Sequence, residues 1–173
     1  TLSGGIAKWE IIINDLQNWK RTDLPESTKT ITDTLPEYMA YVDGSAKCML
    51  YKENEEKNPE ETAITASFDS STRKLTMTVP ALIGKVRAVI TYDTKITTLP
   101  TGSGNGVTVN GDRISFTNSV TVGKKTESAT VTMTSKELHK VGKAVSGVKN
   151  VVEYVIDVNY EAIDLLPDSD VLV

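Results

Sequence analysis

Apolar and polar residues alternate with a period of two in run after run of this chain. Trp9, Ile11 and Ile13 share one face of such a run, and Leu75, Met77 and Val79 share another. Ala88, Ile90 and Tyr92 form a third, and Ile114, Phe116, Asn118, Val120 and Val122 a fourth. Ala129, Val131 and Met133 continue the pattern in the next segment, while Ile31 is in phase with Asp33. This period marks strands with one face buried. Turn signals separate the runs: Asp43-Gly44, Asp69-Ser70-Ser71, Gly102 to Gly106 and Asn110-Gly111. Many short strands with such punctuation predict an all-β sandwich. Helical periodicity is weak. Asp15 to Leu24 predicts at most a turn of helix, and Glu53 to Glu61 a charged surface loop.

One strand pattern occurs twice. Ser3 to Asn14 reads S-G-G-I-A-K-W-E-I-I-I-N, and Ser146 to Asn159 reads S-G-V-K-N-V-V-E-Y-V-I-D-V-N. Trp9 aligns with Tyr154, Ile11 with Ile156, Ile13 with Val158 and Asn14 with Asn159. A β-type segment that returns after about 145 residues implies tandem modules of ordinary domain size. Residues 1–135 are therefore expected to form one module, its first strand missing, and residues 136–173 the opening strands of a second copy. The joint falls near Thr134 to Glu137, where nothing is rich in Pro or Gly, so it should be short and stiff. With no signal peptide and both ends close to strand-like runs, the chain is expected to be a piece of a longer precursor.

Composition narrows the chemistry. A net charge of −4 and a pI near 5.1 leave no basic patch for nucleic acid. No run is long and apolar enough to insert in a membrane. One cysteine, Cys48, excludes an internal disulfide, so an extracellular protein of this kind needs another source of rigidity. With Cys48 and His139 the only residues of their types, a zinc site or a nucleophile–histidine pair lacks material. Neither a metal, a cofactor nor a catalytic site for an external substrate is expected. Cys48 alternates with Ala46 and Leu50 and reads as a small core residue; His139 reads as a surface residue near the joint. The Gly102 to Gly106 stretch lacks the Lys-Ser/Thr of a phosphate loop and reads as a flexible hairpin. Asp168-Ser169-Asp170 has no Ca²⁺ loop around it and reads as a surface turn.

Four stretches together carry a resemblance. They are I-T-D-T-L-P-E-Y-M-A-Y-V-D-G-S-A-K (Ile31 to Lys47), V-R-A-V-I-T-Y-D-T-K-I (Val86 to Ile96), I-S-F-T-N-S-V-T-V (Ile114 to Val122) and the segment from Val152 to Val173. In this order they resemble the collagen-adhesin-type (A-type) immunoglobulin-like modules of Gram-positive surface adhesins and pilins. The resemblance implies an immunoglobulin-like sandwich used as a tandem-repeat surface module. It also implies a self-formed isopeptide bond, in which a lysine amine attacks a buried asparagine amide beside a carboxyl group that shuttles protons. Burial keeps such an amine neutral and such a carboxyl protonated.

Carried over to this sequence, Asp33 matches the carboxyl position and Asn118 the asparagine. Their phase agrees, since each alternates with apolar neighbours and is expected to be buried, close to the other. The plainer reading is a turn for Asp33 and a backbone-bonded amide for Asn118. Without a lysine, Asn118→Ala is expected to cost little. The family's lysine stands on an earlier strand in a Lys-x-Gly context. Lys140-Val141-Gly142 supplies it fourteen residues before Tyr154, whereas the first copy would need it upstream of Thr1. Lys8 alternates out of phase with Trp9 and reads as solvated. The tail strand from Glu137 to Val145 is therefore expected to fill the first module's gap, within one molecule or in a neighbour, and to bring Lys140 to Asp33 and Asn118.

The reading that follows is a stalk module of a cell-wall-anchored adhesin or pilus-like protein, outside the bacterial cell, with neighbouring modules as its partners. The alternative is a ligand-binding sandwich that recognises a host extracellular-matrix protein or glycan. Exposed aromatics clustered on one face would favour that alternative.

Overall fold

A computed structural model of the chain describes residues 2–13, 29–52, 57–79, 81, 87–134, 138–144, 146–147 and 152–158. Among these there is no helix. The strands are β1 (Leu2–Ser3), β2 (Ile6–Ile13), β3 (Lys29–Thr34), β4 (Met39–Tyr41), β5 (Lys47–Tyr51), β6 (Glu60–Thr62), β7 (Thr65–Asp69), β8 (Lys74–Val79), β9 (Arg87–Ile96), β10 (Val107–Asn110), β11 (Arg113–Val122), β12 (Lys125–Thr134), β13 (Leu138–Ala144) and β14 (Val152–Val158). The segments Asp15 to Leu24 and Asp168 to Asp170, and the middle of the proposed joint, lie outside the described residues.

Two antiparallel sheets face one another. The first runs β1-β2-β9-β5-β6, with β4 also on β9; the second runs β10-β11-β3-β8-β7, with β12 on the other side of β11. Along β11 one edge pairs with β12 from Arg113 to Val122, and the other pairs first with β10 and then with β3. The chain is thus an all-β, immunoglobulin-like sandwich. A third sheet contains only β13 and β14.

The alternation works as the physics of a half-buried strand demands. On β2, Ala7, Trp9 and Ile11 are buried while Lys8 and Glu10 are exposed. On β8, Leu75, Met77 and Val79 are buried, and on β11 so are Ile114, Phe116 and Asn118. Cys48 lies in the same core. Burial alone raises its thiol to about 11, which keeps it protonated and inert.

Three expectations need correction. The stretch read as a charged loop ends in β6, an edge strand paired with β5 through Glu60, Glu61 and Thr62. Backbone pairing at an edge needs no apolar alternation, so the pattern could not reveal it. The inward face of β12 is only partly a core face: Met133 is buried and Val131 half-buried, but Ala129 is exposed. Finally, the Gly102 to Gly106 loop is pinned rather than flexible. Gly104 and Val107 exchange backbone hydrogen bonds, Asn105 O accepts the Glu37 N–H, and Gly106 O accepts the Thr117 N–H. Gly106 has φ of 72°, and a Cβ there would stand 2.7 Å from Thr117 O. Only glycine fits this close approach.

On the outward face of the β11–β12 hairpin, facing hydroxyls bond in pairs: Ser115 with Thr132 at 3.0 Å, and Thr117 with Thr130, Ser119 with Ser128 and Thr121 with Thr126 at 2.9 Å.

Candidate functional site: a buried carboxyl, amide and phenol

Three polar side chains meet in the apolar interior between the sheets. Asp33 projects from β3, where Ile31 two residues earlier is also buried. Asn118 projects from β11 in phase with Phe116, and Tyr92 from β9, opposite Trp9. Asp33 is 0% and Asn118 5% exposed. The Tyr92 hydroxyl donates to Asp33 Oδ2. The Asn118 amide nitrogen donates to the same Oδ2 at 3.1 Å and to the Tyr92 hydroxyl at 2.6 Å. The structure therefore brings together the two residues expected from sequence, and adds a third.

Tyr92 was not singled out from sequence as a member of the site. Its signal was present, since a tyrosine in phase with Ala88 and Ile90 must bury its ring and then find a partner for its hydroxyl. Trp9 shows the same behaviour: its indole N–H donates to Thr94 Oγ1 at 2.9 Å, inside the core.

Asp33 Oδ1 and Asn118 Oδ1 are both buried and have no hydrogen-bond partner among the described residues. Unsatisfied buried acceptors each cost about 1–3 kcal/mol. Burial is also the main influence on the Asp33 carboxyl. It raises the pKa from 3.8 to about 6, against the opposing pull of the hydrogen bonds from Tyr92 and Asn118. Burial, and then the Asp33 charge, push the Tyr92 phenol far above its usual range, so it remains a donor.

Lys140 lies on β13, opposite Ile156 of β14, and its side chain lies outside what the structure describes. The expectation that the tail fills the gap within one molecule is not met: β13 pairs with β14, and with no strand of the sandwich among the described residues. His139 pairs with Asp157 in the same hairpin, and its side chain is likewise outside the description. Lys8 is exposed on β2. Among the described residues no group of three or more His, Cys, Asp or Glu is placed to hold a metal ion, and no helix is long and apolar enough to cross a membrane.

No protein-family model matches this chain, and no curated protein matches it. Solved structures do resemble it. The collagen-binding domain of a Staphylococcus aureus adhesin superposes with a TM-score of 0.44 at 13% identity, over 76% of this chain and 89% of that one. The collagen adhesin of the same organism gives 0.46 at 12% identity over 90% of this chain and 48% of its own, so this chain spans about half its length. The major pilin subunit BcpA of Bacillus cereus gives 0.37 at 12% identity, over 72% of this chain and 38% of that one. These structural neighbours are adhesin domains and a pilin subunit of Gram-positive bacteria.

Proposed function

We propose that this chain is a stalk module of a bacterial cell-wall-anchored surface protein, and that its pocket is built to close an amide bond between a lysine and Asn118. One observation carries the reading: Asp33 Oδ1 and Asn118 Oδ1, side by side on bonded residues, are buried and have no partner among the described residues. A lysine amine carries enough N–H groups for both oxygens. Desolvation there favours its neutral, nucleophilic form.

The bond forms when Nζ attacks Asn118 Cγ. The Cγ–Nζ bond is made and the Cγ–Nδ2 bond breaks. Nζ gives up one proton, Nδ2 gains one, and ammonia leaves. Asp33 Oδ2, 3.1 Å from Nδ2, is positioned to pass that proton to the departing nitrogen. Its raised pKa, about 6, lets it hold and release a proton near neutrality. Tyr92 holds the carboxyl and the amide in register. The reaction happens once per module and serves no external substrate. Its product is a covalent brace between strands, a source of rigidity in a chain with no disulfide. The partners of such a module are its neighbours in the same surface protein.

The test is mass spectrometry under denaturing conditions. A tryptic peptide containing Asn118 should be found joined through its side chain to a lysine-bearing peptide, lighter by one ammonia, about 17 Da. Asn118→Ala and Asp33→Asn should abolish it. If concentrated wild-type protein never yields such a species, the reading fails.

A further inference from the structure

Among the described residues β2 has an open side. Its inner edge pairs with β9 from Ile6 to Ile13, but on its outer edge β1 takes only Ile6 and Ala7. From Trp9 to Ile13 no strand pairs with that edge among the described residues. The same flank is bare in the other sheet. β1 lies against β12, so the outer edge of β2 lies on the β12 side of the sandwich. There Ala129 and Glu127 are exposed, although they stand opposite Asn118 and Val120 and share their inward face. Among the described residues, nothing covers this flank from Trp9 to Ile13. An open edge beside an uncovered interior recruits a strand.

The tail contains a strand with the matching register. β14 repeats β2 in sequence, and β13 pairs with β14 from Leu138↔Val158 to Ala144↔Val152. Transferred to β2, this register sets Leu138 opposite Ile13, Lys140 opposite Ile11 and Gly142 opposite Trp9. β1 closes the edge at Ala7, just beyond Lys143. Directly opposed residues of antiparallel strands share a face. Ile11 is 7% exposed and faces the core, so Lys140 enters the interior that holds the two unpaired oxygens. Gly142, with no side chain, leaves room beside the Trp9 indole.

We propose that β13 of a second copy of this chain docks on the outer edge of β2. The role given to Lys140 rests on the pocket being a lysine receiver, whereas the docking itself does not. A second copy is required because the molecule's own tail is too short. The chain leaves the sandwich at Thr134, opposite Arg113 at the start of β11. That is the end where β2 begins: Thr117 N–H bonds Gly106 O, Glu37 N–H bonds Asn105 O, Thr97 N–H bonds Tyr38 O, and Ile96 N–H bonds Gly5 O. Leu138 must reach the other end of β2, about 23 Å away at roughly 3.3 Å per residue. The four steps from Thr134 to Leu138 span at most about 14 Å.

The donor hairpin is weakly held: its β14 leaves Val152, Tyr154 and Val155 49%, 58% and 52% exposed, and a lone two-stranded sheet is marginal in water. Moved to β2, β13 joins a six-stranded sheet. Each copy has one donor strand and one acceptor edge, so the contact propagates head to tail into open chains.

Sedimentation velocity and native mass spectrometry of the full chain over a concentration series test this. Dimers and longer chains should form, and excess peptide spanning Leu138–Ala144 should cap acceptor edges and shorten them. Val141→Pro spoils the donor strand and should weaken assembly at least tenfold, with the unfolding midpoint of the sandwich unchanged. Lys140→Met keeps the strand and should assemble without any covalent species. A chain that stays monomeric, or assembles equally well as Val141→Pro, overturns the docking. Assembly without loss of ammonia upholds docking and defeats the amide-forming reading. Ammonia loss confined to monomers does the reverse.

Discussion

Raising the pH from about 4 to about 7 should weaken the sandwich while no lysine occupies the pocket. In the unfolded chain Asp33 loses its proton near 3.8, and in the folded one near 6, because burial disfavours the anion. Between these values the folded state holds a proton that the unfolded state has released. Stability is therefore full below about 3.8 and falls as pH rises through about 6. The difference of roughly two pKa units is worth about 3 kcal/mol at 1.36 kcal/mol per unit. Asp69, an exposed carboxyl held down to about 2 chiefly by its Ser71 and Thr72 hydrogen bonds, titrates below this window. Urea unfolding followed by tryptophan fluorescence reads the effect. With m between about 1 and 3 kcal/mol/M, the midpoint should drop by about 1 to 3 M. Asp33→Asn keeps the shape without the charge, and the difference between wild type and this variant isolates Asp33 from the other carboxylates. A midpoint that rises with pH relative to Asp33→Asn, or that moves identically in both proteins, refutes the reasoning.

Gly106→Ala should cost at least about 1–2 kcal/mol, from the positive φ alone and more from the contact with Thr117 O, and a thermal melt will show it. Asn118→Ala should cost about 1–2 kcal/mol rather than little, because its nitrogen makes two hydrogen bonds and only its oxygen is unpaired. The same variant should move the Asp33 titration upward, since the lost amide bond is one of the influences lowering it; NMR titration of the carboxyl carbon will show the direction.

What the sequence disclosed followed from burial. Strands with one wet and one dry face, such as β2 and β8, announce themselves by alternation, and Asp33 and Asn118 stood out because a polar residue in an apolar phase is costly unless partnered. What it hid depends on relations across the chain. The Tyr92 hydroxyl matters because β9 lies over the β3–β11 seam, and no local pattern encodes which strand faces which. Ala129 alternates like a core residue, yet is exposed, and no alternation within β12 encodes what lies across from it. The Gly102 to Gly106 loop looked free because its anchors, Glu37 and Thr117, are distant in sequence.

The hydroxyl pairs on the β11–β12 hairpin bear on how the module meets force. The tail departs from Thr134, the last residue of β12, so tension from that side enters the sandwich through this strand. Pulled along its axis, β12 is loaded in shear. Its backbone rungs with β11, from Arg113↔Thr134 to Val122↔Lys125, must then slip together, and the four hydroxyl pairs with them. Pulled sideways, the same strand would peel one rung at a time. Whether such a hairpin acts as a clamp or a zipper is thus set by the direction in which the chain beyond Thr134 is pulled, rather than by the number of bonds it contains.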